Sequence, residues 1–204
     1  MKRTRLTREE SRDQTQQRLL DAAQSVIARK GLAATSVEDI AAQAGYTRGA
    51  FYSNFGSKNE LFIELLRRDH QGTDEEMAAI LDAGLGLEQI EERLLQMYGQ
   101  LHGDTECFMS WTEARMLAAR DARFRTRLNA LMLEKSERIA GFITAFYQRI
   151  GSAPPLPAKE MAMGLMSLVE GVRLFRLSSP QDMTPEAAES VLKVFLESLM
   201  RLRR

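Results

Sequence analysis

The stretch TSVEDIAAQAGYTRGAFYSNFGSKNEL, Thr35 to Leu61, decides the fold. Thr35 and Ser36 supply hydroxyls ahead of Val37, Ile40, Ala41 and Ala44, which share one face at helical spacing. Glu38 and Asp39 follow, where a helix N-terminus favours negative charge. The resulting helix is short, because Gly45 ends it. Thr47 is placed to cap the next helix through its hydroxyl, and Ala50, Phe51 and Phe55 give that helix a side to bury. Two short helices joined by a glycine-containing turn form a helix-turn-helix. Ser57-Lys58-Asn59-Glu60 then makes a capping box ahead of Leu61, Phe62, Leu65 and Leu66, which opens a fourth helix.

Working outward, Thr7 and Glu10 form a second capping box, followed by Leu19, Leu20, Ala23, Val26 and Ile27 at helical spacing. The first helix is predicted over 8–30, with Gly31 as the left-handed residue that closes it. Downstream, periodicity predicts helices at 74–83 (or a kinked continuation of the fourth helix across Gly72), 87–101, 105–119, 122–150, 158–178 and 185–202. Gly84 and Gly86, Gly103-Asp104, Pro154–Pro157 and Ser178–Pro185 supply the breaks. The fold class expected is all-α, with no internal repeat.

Composition agrees. The chain has 204 residues, 44% hydrophobic and 27% charged, with 13 Gly and 5 Pro, which excludes disordered, collagenous and fibrous classes. Its net charge of zero is polarised: 10 Lys/Arg stand against 6 Asp/Glu in residues 1–58, and 18 against 22 in residues 59–204. A basic amino end suggests a polyanionic partner. The lone Cys107 has no intramolecular disulfide partner, and the amino end carries no apolar signal segment. Met161–Val169, the longest nearly apolar run, is far short of the roughly twenty residues that a membrane-spanning helix needs. A cytoplasmic location without membrane association is expected.

Over about residues 12–66 the chain resembles the DNA-binding signature of TetR/AcrR-family transcriptional regulators. The matching features are the Thr/Ser-capped helix with Ile40-Ala41-Ala42, the turn at Gly45, the Thr47–Tyr52 recognition helix, Phe55 and Ser57–Leu61. The resemblance implies a homodimer with one recognition helix per subunit, a helix-turn-helix DNA-binding domain at 8–56, and a ligand-binding and dimerisation domain at 57–204. It implies no cofactor. The family usually has His where this chain has Asn54, and an amide brings no charge to a phosphate.

In a recognition helix the N-terminal residues meet base edges, which nominates Thr47, Arg48 and, through close backbone approach, Gly49. Tyr46, Tyr52, Asn54 and Lys58 are expected at phosphates, with Thr35 and Ser36 at the start of the second helix, and Lys2, Arg3 and Arg5 as a basic arm. Lys58 opposes the dipole at a helix N-terminus, so a phosphate contact explains it better than helix stability does. Gly164, Leu168, Gly171 and Phe175 form a stripe for close packing. With Leu192, Phe195 and Leu199 they are the expected dimer interface.

Every methionine except Met1 lies beyond residue 76, which suits a pliable apolar pocket. Tyr98, His102, Trp111, Glu113, Met116, Tyr147, Glu170 and Arg173 are the candidate ligand contacts. His102, Asp104, Glu106 and Cys107 match no metal-ligand spacing, so no metal site is expected. The function predicted is a ligand-responsive regulator, a repressor that binds a palindromic operator and is released by a small apolar effector. The alternatives are an all-helical enzyme or small-molecule carrier with an incidental helix-turn-helix, and a non-specific DNA binder. No catalytic triad, phosphate-binding glycine loop or zinc pattern supports an enzyme.

Overall fold

Thr7 opens the first helix as expected: its hydroxyl accepts from the Glu10 amide and the Glu10 carboxylate accepts from the Thr7 amide. The computed structural model describes residues 7–82, 84–100 and 105–201, which form nine helices. These are α1 (Arg8–Ala34), α2 (Val37–Gln43), α3 (Arg48–Asn54), α4 (Lys58–Asp82), α5 (Leu87–Gln100), α6 (Thr105–Arg120), α7 (Ala122–Arg149), α8 (Ala158–Ser178) and α9 (Pro185–Arg201). The fourth helix therefore runs through Gly72 without a break. The chain divides into two compact units, Met1–Asp69 with Glu106–Leu128, and His70–Thr105 with Asn129–Arg204. A boundary at 56/57 thus falls inside the first unit, which also takes in α6.

In the first unit, Leu19, Ala23, Val26 and Ile27 of α1 are buried, and α1 packs on α2 and α3. Ile40 and Phe51, fully buried, carry the inner faces of α2 and α3, with Phe51 tilted against Phe55 at 5.9 Å between centroids. Arg68 of α4 reaches Asp21 at 2.6 Å and Gln24 at 2.9 Å on α1, and Phe62 of α4 stacks on Phe124 of α7 at 6.0 Å. The Asp121 carboxylate caps α7 by accepting from the Arg123 and Phe124 amides. Ser57 accepts from the Glu60 amide, but the Glu60 carboxylate turns to the Gly56 amide and to Arg127, so the predicted capping box is only half made.

Gly31 departs from expectation. Its φ of 79° is positive, but its ψ of 159° is extended, a region that essentially only glycine enters and distinct from the left-handed helical closure predicted. Gly45 closes α2 as predicted, and Gly151, which sequence reading did not select, closes α7 in the same way. The Tyr46 amide donates to the Ala41 carbonyl and the Ser152 amide to the Tyr147 carbonyl, the long bonds of a Schellman motif.

The second unit is built on a core that includes Ile80, Ile90, Met97, Ile139, Tyr147, Leu165, Leu192 and Leu196, with α9 packed on both α5 and α8. Thr184 caps α9, its hydroxyl accepting from the Ala187 amide. None of the described helices is long and apolar enough to cross a membrane.

Candidate functional site

The exposed edge of α3 follows from how its inner edge is anchored. With Phe51 and Phe55 buried, the 3.6-residue period turns Arg48, Gly49, Tyr52 and Ser53 to solvent. Thr47 accepts from the Ala50 amide at 3.2 Å and so caps the helix. Arg48 lies over the Tyr52 ring, 5.4 Å from its centroid, and its guanidinium pairs with Glu38 of α2 at 2.7 Å. The Tyr52 side chain, followed by Glu38, raises the Arg48 pKa further. Both partners are largely exposed, and such a surface pair is worth roughly 1 kcal/mol or less, so Arg48 is held in position by a bond that it can exchange for another partner.

Other expected DNA contacts sit elsewhere. Thr35 is 2% exposed; its hydroxyl donates to the Gly31 carbonyl at 2.7 Å and its amide to the Leu32 carbonyl at 3.2 Å, so it has no donor left for a phosphate. The Ser36 amide donates to Asp39 at 2.8 Å within a capping box. Tyr46 is half-buried behind Gly45. The Asn54 amide nitrogen donates back to the Ala50 carbonyl at 2.8 Å and its oxygen is buried without a partner, so the amide does not point outward.

Lys58 is the clearest correction. Its ammonium donates to the Leu32 and Thr35 carbonyls, each at 2.7 Å, which explains a cation at a helix N-terminus without DNA. Partial burial pulls its pKa down. Arg8, Ser11, Arg12 and Thr15 of α1 border a polar recess with Ser53 and Asn54, and sequence reading had not selected them. The i, i+4 spacing of Arg8 and Arg12 is the signal that could have done so. Lys2, Arg3 and Arg5 lie outside the described residues.

In the second unit Met77, Leu94, Ile139, Phe142, Ile143, Phe146, Tyr147, Met161, Leu165 and Leu196 surround an apolar cavity of about 50 Å³. Of the described candidate ligand contacts only Tyr147 lines it, and burial raises the pKa of its hydroxyl. Trp111 and Glu113 belong to α6 in the first unit, where Trp111 is buried and the Glu113 carboxylate accepts from the Leu32 amide. Met116 is exposed, and Glu170 and Arg173 are half-exposed on α8 and are not among the described lining residues. The Tyr98 side chain and His102 fall outside the described residues. Sequence reading missed Ser136, a buried hydroxyl without a partner, three residues before Ile139 on α7.

The expected interface is likewise re-phased. Leu192 is 2% exposed and belongs to the unit's own core, and Leu168 packs against that core. Gly164, Phe175 and Phe195 are exposed, Gly171 is half-exposed, and Met163, Leu174, Leu177 and Val194 are exposed with them. The Leu199 side chain is not among those described.

Among the described residues, a helix-turn-helix with its third helix turned outward is carried by an all-helical fold, the architecture used by DNA-binding regulators. Residues 19–65 match the family model for bacterial regulatory proteins of the tetR family. The chain is 40% identical over 70 residues to the transcriptional regulator TtgR of Pseudomonas putida, covering 34% of this chain and 33% of TtgR. With AcrR of Shigella flexneri it shares 41% over 61 residues, 30% and 28% of the two chains. The matched stretch thus spans well under half of these curated relatives. Among solved structures, a Rhodococcus sp. protein described as a TetR-family transcriptional regulator superposes with a TM-score of 0.75 at 22% identity, over 92% of this chain and 99% of that one. The SmeT–triclosan complex superposes with a TM-score of 0.71 at 22% identity, over 90% of each chain. At these identities the likeness is one of fold.

Proposed function

We propose that this protein is a ligand-responsive transcriptional repressor, binding an inverted-repeat operator as a homodimer and released by a small, neutral, apolar effector. The observation that carries the reading is the Thr47-capped end of α3, where Arg48 is presented on Tyr52 beside the small Gly49. That end suits the major groove: a bidentate Arg48 contact reads guanine, and Gly49 lets the backbone approach. The KstR2 proteins, 49% identical over 49 residues, are repressors, which supports the sign of regulation.

The cavity supports the effector's class. The described residues of its lining hold no carboxylate, ammonium or guanidinium, so a charged ligand meeting them would be desolvated without a partner. SmeT, with the same fold, was crystallised with triclosan. Ligand sites run to about 300–1,000 Å³, so a cavity of about 50 Å³ must widen, and Met77 and Met161 are the side chains most able to rearrange. Met77 lies on α4, the helix that begins at Lys58, and Ile139 on α7, the helix that carries Phe124; widening therefore displaces helices that also build the DNA-binding unit. The exposed apolar residues of α8 and α9 form the dimer surface in this reading.

Selection from randomised duplexes tests it. The expected product is an inverted repeat with half-site centres about 34–36 Å, or a multiple of that, apart. Enrichment of no symmetric sequence overturns it.

A further inference from the structure

The elbow between α1 and α2 is gripped from outside on both sides of one residue. The Leu32 amide donates to the Glu113 carboxylate of α6, and the Leu32 carbonyl accepts from the Lys58 ammonium of α4 at 2.7 Å. Lys58 also holds the Thr35 carbonyl at 2.7 Å, one residue before the α2 cap. The glycine-only backbone at Gly31 brings these groups together. A Cβ built there would lie 3.0 Å from a Glu113 carboxylate oxygen, so any side chain would press on the group that holds the next amide. The Glu113 charge also favours the cationic form of Lys58.

Helix α2 is only seven residues long and α3 another seven, and neither has the length to hold an orientation by itself. Their approach to DNA depends on their packing through Ile40 and Phe51 and also on what holds the chain entering α2, and that chain is residues 31–36. We propose that Glu113 and Lys58 are positioning residues for operator binding, acting through the Leu32 peptide as one latch that fixes the DNA-competent orientation of the helix-turn-helix. Glu113 thereby leaves the ligand pocket and Lys58 leaves the phosphate backbone. The inference rests on the operator-binding reading above.

The test uses the full chain and the operator recovered by selection, with affinity measured at several salt concentrations below the melting temperature of each variant. Glu113→Ala and Lys58→Met are each expected to weaken operator binding about tenfold, the scale of leaving a buried polar group unpaired. The double variant loses little more than either single one, because both act through one peptide. Glu113→Gln, whose amide oxygen still accepts from Leu32, recovers most of the affinity. Lys58→Met leaves the slope of log affinity against log salt unchanged, whereas loss of a phosphate contact reduces it by about 1. A reduced slope with additive losses, or a Glu113→Ala protein that binds as tightly as wild type, overturns the latch. Should the truncations not fold, hydrogen exchange of the wild-type Leu32 amide decides: protection supports the latch, and exchange at the rate of an open amide overturns it. If the wild-type protein selects no operator, the functional reading fails instead, and the exchange result still reports on the latch.

Discussion

In the operator-binding reading proposed above, Arg48 is a side chain made ready for a base. Tyr52 lies beneath it and Glu38 draws it to one side, so its rotamers are narrowed before DNA arrives. Arg48→Ala is expected to relax preference at one position per half-site, losing about 1–3 kcal/mol of discrimination there while other positions stay selective. Titration of operator variants checks this, and a loss that is uniform across sequences would refute the assigned role. Phe51 acts from the opposite side of the same helix. Fully buried, it sets which face of α3 looks outward, and Phe51→Ala is expected to cost about 3–5 kcal/mol, read as a lowered denaturation midpoint.

Among elements, the α1–α2 elbow concentrates the ionisable groups. Asp39 accepts from the Lys30 ammonium at 2.6 Å and from the Ser36 amide, and these bonds, Lys30 foremost, hold its carboxyl well below the usual aspartate range. A carboxyl depressed on folding contributes stability that is complete above its unfolded value, near pH 4, and that is lost as the pH falls further. Melting temperatures of wild type and Asp39→Asn should therefore differ at pH 7 and converge as acid is added below about pH 4. A gap that stays constant to pH 2 would show that Asp39 acts through shape and not charge. Helices and caps were legible in the sequence because they are local. Thr7, Ser36 and Thr47 find partners three residues on, and Gly45 acts within one turn. Destinations of long side chains were not. Lys58 meets carbonyls 26 and 23 residues upstream, and Glu113 an amide 81 residues upstream, distances over which periodicity is silent. The phase of α9 was ambiguous for another reason: Val191, Leu192, Val194, Phe195 and Leu196 leave apolar groups on most of its circumference, and only packing selects Leu192 and Leu196 as the inner pair.

For the whole molecule, two features govern behaviour: the apolar cavity and the apolar residues left bare on α8 and α9. In a thermal-shift screen neutral apolar compounds are expected to raise the melting temperature, and carboxylates or quaternary amines to leave it unchanged; Leu165→Trp, which fills the cavity, abolishes the response. A response confined to charged compounds would refute the effector class. Phe175→Glu is expected to shift the protein to a single subunit in sedimentation and to remove operator binding with it. Phe175 and Phe195 are 61% and 54% exposed, too much aromatic surface for water to meet without cost. If a second copy covers them, heat resistance becomes a matter of abundance: each tenfold dilution removes about 1.4 kcal/mol from assembly. In the repressor reading proposed above, a cell holding few copies would keep a more fragile, more readily dissociated guard on its promoter than one holding many, before any effector enters.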